Sequence, residues 1–456
     1  MMRRRKQPQF IFTVALLLAQ IFQFVQTTNA QEDTAAANKT DSSANLYLDL
    51  QTGMTADDAV KFALENNGEI QALRKEAEAA RSLVKQAGLR ANPKLEATGT
   101  RQIGGTDNSV MVEGMLPLEL GGRRAARVKV ANAELEIREF ALANQERLLA
   151  AEVRIKFGEV LAQIKKLELL EKIIANTRQG YDIVATKVTE GRTAPLEQNM
   201  LMVELNRQRS MRETAEGKTE AAMFELKNLL GKKPDEPLRL SGDFTNLLDG
   251  LPPIDESLAK AVRMRPDLLG ARALENLAVA RLERARAESK IDASVKTGYQ
   301  RIKSGFPLNG VTDSGELRPI DSVFHFFTFG VEIDLPVRNR NQGEIEAALF
   351  EQQAAQSRIQ FGELTVRREI NVAYARYNRA VRALTIFQNG VRDQANANLQ
   401  VIWQTYELGK NTLSEYIAEE RRYLEIENEL VDALLETYTA RIEILRSANA
   451  PELIRK

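Results

Sequence analysis

The stretch AEVRIKFGEVLAQIKKLELLEKIIANTRQGYDIVATKV, Ala151 to Val188, decides the fold. Val153, Val160, Leu167, Ile174, Tyr181 and Val188 fall every seventh residue, and Phe157 and Ile164 fill positions between them. An unstrained helix drifts off a seven-residue period, so such a seam predicts a long helix supercoiled against partners. Charged side chains such as Glu152, Lys156, Glu159, Lys165 and Lys172 occupy the remaining faces. No Pro interrupts the pattern, and Gly158 and Gly180 are its weak points. Extended to Gly121 and Glu190, it makes a rod of roughly 100 Å. A generic dimeric coiled coil would carry the same seam, so the surroundings must arbitrate.

Before the rod, Asn92-Pro93 stops a helical pattern and the period changes from helical to two. Leu95, Ala97 and Gly99 alternate with Glu96, Thr98 and Thr100, and after the turn at Gly104-Gly105 a second alternating run pairs back to Pro117. Beyond the rod, Glu190-Gly191 is a stop, Pro195 opens a return helix, and a Pro-rich connector follows. The plan then repeats with an offset of roughly 200 to 220 residues: two short helices, a hairpin, a long helix, a turn and a return helix. The chain divides into a signal peptide (1–30), a flexible lead-in (31–53), a first structural repeat (54–231), a connector (232–253), a second repeat (254–448) and a tail (449–456). The first repeat holds strands at ~94–103 and ~110–117, a long helix at ~121–190 and a return helix at ~195–230. The second holds strands at ~293–302 and ~322–335, a long helix at ~343–408 and a return helix at ~413–448, with a loop from Lys303 to Asp321. The fold class is mostly α with a small β part.

Arg3-Arg4-Arg5-Lys6 before the apolar run Phe10 to Val25, with small residues up to Ala30, has the form of a secretory signal cleaved after Ala30. An N-terminal anchor is the other reading, but Gln20 and Gln23 break the run. Later apolar runs fall short of the ~18 residues a membrane helix needs, so a membrane location requires strands. Four strands of about ten residues can cross a bilayer when tilted. His325, Phe327, Phe329, Val331 and Ile333 share one face, and Phe324 and Phe326 add aromatics to what reads as an interfacial girdle. A soluble two-layer sheet under helices is the alternative. Four strands cannot close a barrel, and open edges are not tolerated in lipid, so closure falls to other copies: eight strands from two, twelve from three.

The net charge is zero, which argues for neither nucleic acid nor an acidic partner. Without Cys there is no disulfide, thiol nucleophile or lipidated cysteine. His325 is the only histidine, and no catalytic constellation, P-loop or dinucleotide fingerprint occurs, so no enzyme activity, cofactor or metal site is expected. Arg123-Arg124 and Arg338-Asn339-Arg340 read as solvated strand-to-helix joints, with anion binding as the alternative. Glu113 and Glu332, each four residues before a proline, lie on the polar strand faces.

The chain resembles the TolC-type outer-membrane efflux channels, closest to their heavy-metal (CzcC-like) RND efflux branch. The resemblance rests on Asn92-Pro93, Leu116-Pro117-Leu118-Glu119-Leu120-Gly121-Gly122-Arg123-Arg124, Asp334-Leu335-Pro336 through Gly343, Arg265-Pro266-Asp267-Leu268, and the turns Gly191 to Glu197 and Gly409 to Glu415. It implies a homotrimer with a twelve-stranded barrel in outer-membrane lipid and a helical tunnel in the periplasm, docked to a periplasmic adaptor (membrane fusion) protein and an inner-membrane RND-type pump. The channel is then a passive exit duct that does no covalent chemistry, with heavy-metal cations among its candidate cargoes. A cell-envelope coiled coil without a pore is the alternative. Matching turn to turn, the resemblance puts Glu197, Tyr406 and Glu415 at gate positions; Asn411 replaces the family's arginine, and the neighbouring Lys410 is the substitute, in contact with Glu197. In such a trimer Glu113 and Glu332 would line the barrel lumen and favour cations.

Overall fold

A computed structural model describes residues 44–244 and 251–454. The signal peptide with its cleavage at Ala30, and the lead-in up to residue 43, lie outside the described residues. The first half runs α1 (Ala44–Tyr47), α2 (Ala56–Asn66), α3 (Gly68–Ala87), β1 (Lys94–Arg101), β2 (Asn108–Pro117), α4 (Arg123–Thr189) and α5 (Pro195–Leu230). The second runs α6 (Ile254–Met264), α7 (Pro266–Glu288), β3 (Asp292–Val311), β4 (Leu317–Asp334), α8 (Gln342–Ile386), α9 (Arg392–Glu407) and α10 (Leu413–Ala448). Local chemistry sets the ends. Thr55 and Asp58 form a reciprocal capping box on α2, Pro195 opens α5, and Gly231 closes it with φ +73°. No described helix is long and apolar enough to cross a membrane.

The core lies midway along α4, where α2, α5 and α10 converge on Phe157, Val160, Ile164, Leu226, Leu230, Tyr438 and Ile442. Gly158 is no weak point: a Cβ there would sit 2.5 Å from the Tyr438 ring, so glycine lets α10 approach. The seam also shifts along the rod. Val153, Val160 and Leu167 are fully buried, but below them Ile173, Thr177, Gly180 and Val184 take the inner line and Ile174, Tyr181 and Val188 are half-buried. Both α5 and α10 pack on α4, and two neighbours cover a broader stripe than one.

Three stretches gain detail in the structure. The described part of the lead-in, Ala44 to Gly53, is tied down: Leu240 of the connector donates its N–H to Tyr47, and Asp49 N–H bonds the Leu240 carbonyl. The tail is anchored too, since Leu453 is buried and Arg154 bonds the carbonyls of Glu452 and Leu453. These segments lack periodicity because each supplies one or two side chains to a core built by others. The second rod is not continuous either: a π-helical turn, Phe387–Val391, separates α8 from α9. Gly390 in that turn is a poor helix former.

The four strands form one antiparallel sheet in chain order, β1-β2-β3-β4, so β1 and β4 are its edges. Most of the expected loop at Lys303 to Asp321 belongs to β3 and β4, which turn only at Thr312 to Glu316. Gly305, Pro307 and Gly310 read as loop residues, but a register shift between Gly305 and Asn309 absorbs the stretch containing the proline, which has no N–H for a ladder. Pairing of Glu96 with Glu113, Glu113 with Gly298, and Ser294 with Glu332 puts the carboxylates on one face. The other face carries Leu95, Val110, Val112, Val295, Phe327, Phe329 and Val331. Phe324 and Phe326 do not join the apolar girdle: they oppose Ile302 and Gln300 on the carboxylate face. Strand side chains alternate strictly, so neighbours of Phe327 by one residue must point away from it.

Candidate functional site

The far ends of the two helical hairpins meet at one tip. Gly191 (φ +69°) stops α4 and Gly409 (φ +71°) ends the α9 turn, each taking the left-handed conformation that frees the chain to reverse. Between the turns Val184, Leu201, Tyr406, Leu413, Tyr416 and Ile417 form an apolar plug. The Trp403 ring lies 4.8 Å from that of Tyr416 and 5.8 Å from that of Tyr406. Tyr406 is 9 % exposed, and its hydroxyl donates to Glu197 Oε2 at 2.6 Å, across 209 residues of chain. Burial first, and then the Glu197 bond and charge, push the Tyr406 phenol up, so it remains a proton donor throughout the physiological range. The Lys187 ammonium stands 5.9 Å from the centre of the same ring.

Of the four gate candidates the fold joins Glu197 and Tyr406 only. Lys410 is exposed and makes no ion pair with Glu197, whose carboxylate turns to Tyr406 instead. The Lys410 backbone is held by the Thr405 carbonyl, which leaves its side chain on the outside of the turn. Glu415 is exposed and serves as a cap: its Oε2 accepts from Thr412 N at 2.8 Å while Thr412 Oγ1 accepts from Glu415 N.

About two helical turns from the tip lies a buried polar layer absent from the sequence reading. It contains Thr177 of α4, Glu204 and Gln208 of α5, and Tyr416 and Glu420 of α10. Burial works to raise the Glu204 carboxyl, but bonds from Arg207 (2.6 Å) and Arg421 (2.5 Å) outweigh it and hold it below the usual carboxylate range. A signal was there. Gln208 follows Leu201 and Leu205 at helical spacing, and Glu420 stands between Ile417 and Leu424, so both are polar residues on apolar stripes.

On the sheet, the carboxylate face is ordered by one cation. The Lys296 ammonium pairs with Glu332 and stands 3.9 Å from Glu113. Glu96 faces Glu113 across the ladder, so a third carboxylate stands beside the pair that Lys296 contacts. Arg123 and Arg124 are occupied as well: Arg123 bonds the Glu288 and Lys290 carbonyls and pairs with Asp292, and Arg124 bonds the Gly88 carbonyl. That is the chemistry of a braced joint. His325 Nδ1 lies 2.7 Å from the Tyr299 hydroxyl, one aromatic against another on the apolar face. Among the described residues no group of three or more His, Asp or Glu could hold a metal ion.

Known proteins share this architecture. The chain is 23% identical to the cobalt-zinc-cadmium resistance protein CzcC of Cupriavidus metallidurans over 395 residues, 86% of this chain and 89% of CzcC. The crystal structure of CusC superposes with a TM-score of 0.70 at 19% identity, covering 91% of this chain and 95% of CusC. The open-state structure of the Neisseria gonorrhoeae MtrE outer-membrane channel gives 0.69 at 17% identity, covering 86% and 88%. The profile of the outer membrane efflux protein family matches residues 59–232 and 258–450, both halves of the duplicated plan, and the chain belongs to that family of channels rather than to any class of enzyme.

Proposed function

We propose that three copies of this chain form the exit duct of a tripartite efflux system. After Sec export and cleavage at Ala30, twelve strands close a barrel in the outer membrane while the helices continue as a periplasmic tunnel. A periplasmic adaptor and an inner-membrane RND-type pump supply cargo and energy to this passive conduit. The observation that carries the reading is the sheet. It has an apolar face on which Phe327 and Phe329 are 73 % and 83 % exposed, a carboxylate face, and two unpaired edges. Lipid tolerates no open edge, and neighbours related by a threefold axis remove both. In that assembly Glu113 and Glu332 line the lumen and favour cations, and the name of the relative CzcC supports heavy-metal cations as cargo. Glu197 and Tyr406 hold the tip shut, with Glu415 bracing the adjoining turn and Lys410 on its rim. Planar-bilayer recording tests the duct, with a trimer that dissociates only on heating as its companion on gels. A purified, folded protein that stays monomeric and leaves bilayers non-conducting overturns it.

A further inference from the structure

The buried layer above the tip is charged unevenly. Glu420 is 3 % exposed, and every donor to it is neutral: Thr177 Oγ1 at 3.1 Å and Tyr416 OH at 3.2 Å on Oε1, Gln208 Nε2 at 3.1 Å on Oε2. Glu204, 1 % exposed, has two guanidiniums. Gln208 links the two acids, its Nε2 also lying 3.4 Å from Glu204 Oε1. The Gln208 Oε1 is buried with no hydrogen-bond partner. An ionised carboxylate with no cation bonded to it and an amide oxygen with no donor are both costly in a packed interior. One proton on Glu420 removes the first fault: the carboxyl becomes neutral, and its O–H can donate to Thr177 Oγ1, whose own hydrogen goes to the Ile173 carbonyl.

We infer that Glu420 is a proton-operated latch: protonated, it locks α10 to α4 and α5 just above the tip, and ionised, it loosens that layer and lets the tip open. The latch rests on the reading of the tip as the closed end of a duct. The groups facing Glu420 are Thr177 from α4, Glu204, Arg207 and Gln208 from α5, and Tyr416 and Arg421 from α10 itself; α9 contributes the Trp403 ring against Tyr416. Burial raises the Glu420 carboxyl, its three hydrogen bonds oppose that in part, and the Glu204 charge adds to it, leaving a net upward displacement. The packed layer therefore binds a proton that the loosened layer releases. Its stabilisation is complete below the ordinary glutamate range and is lost as pH rises through the raised value. Each unit of displacement is worth about tenfold in the closed-to-open ratio per protomer.

The experiment is single-channel recording of wild type and Glu420→Gln, both checked as heat-dissociable trimers, from about pH 5 to about pH 8. The wild-type closed fraction falls as pH rises, and Glu420→Gln keeps the acid-side closed fraction at every pH. A wild type that conducts with pH-independent gating overturns the latch, as does a Glu420→Gln channel with the wild-type pH response. Absence of any wild-type conductance strikes the duct reading instead, and a spectroscopic arm still judges the latch. Infrared difference spectra across the same range should show a protonated-carboxyl carbonyl band in wild type that is missing from Glu420→Gln. If that variant does not assemble, amide hydrogen exchange on wild type decides. Protection over residues 170–184 and 413–424, corrected for intrinsic rates, must fall as pH rises, and constant protection sinks the idea.

Discussion

Glu113 and Glu332 on the sheet and Glu204 and Glu420 in the helices are the same kind of group in opposite settings. The sheet acids share Lys296 on an open face, where water screens their charge. The helical acids are sealed between three helices, where each needs a cation, a proton or a full set of donors. A wet carboxylate can act on a passing ion because little of the fold depends on it. A sealed one acts on the fold itself.

The sharpest way to break this contrast is to strip Glu204 of its cations. Arg207→Ala with Arg421→Ala should destabilise the fold by about 2–3 kcal/mol, less than a fully buried pair because both guanidiniums are partly exposed. The midpoint of thermal or denaturant unfolding reads this out, and a shift within error would mean that the layer is wetter than it looks. Next comes Tyr406→Phe, which deletes the bond to Glu197 and should cost about 1.5 kcal/mol, visible as a higher open fraction in bilayers. Adding Glu197→Ala to it should change little more, because the interaction is already gone. On the wet side, Glu113→Gln with Glu332→Gln should lower the cation-to-anion permeability ratio while moving stability by no more than about 0.5 kcal/mol. Unchanged reversal potentials would remove these acids from any filtering role. The smallest effect belongs to Lys410→Ala, within about 0.5 kcal/mol and without a change in gating, since the side chain is exposed on the turn. A strong gating effect there would reveal a contact between protomers.

Much of the tip was legible in advance. Gly191, Pro195, Gly409 and Thr412 are local punctuation, and the family resemblance brought Glu197 and Tyr406 to the same tip but gave Glu197 to Lys410, whereas the fold gives it to Tyr406. The buried layer was harder, although Glu420 interrupts an apolar stripe. A lone acid at such a position reads as a solvated edge until α4 and α5 are seen to enclose it. On the sheet, the parity of Phe324 and Phe326 was visible in the strand, but the attraction of four aromatics in a row concealed it.

The sequence by itself determined the duplicated plan, the types of the elements and many of their ends. Those signals, hydrophobic period, caps and helix-stopping glycines, act over a few residues. Only the tertiary structure decided which carboxylates are sealed and which stay wet. It decided too that Lys296 sits beside Glu113 and Glu332, that Gly158 admits the Tyr438 ring, and that connector and tail close the core. Each of these depends on residues brought together from distant parts of the chain. The energy of a buried charge or a close approach is set by all the neighbours at once, and no local pattern records who those neighbours are.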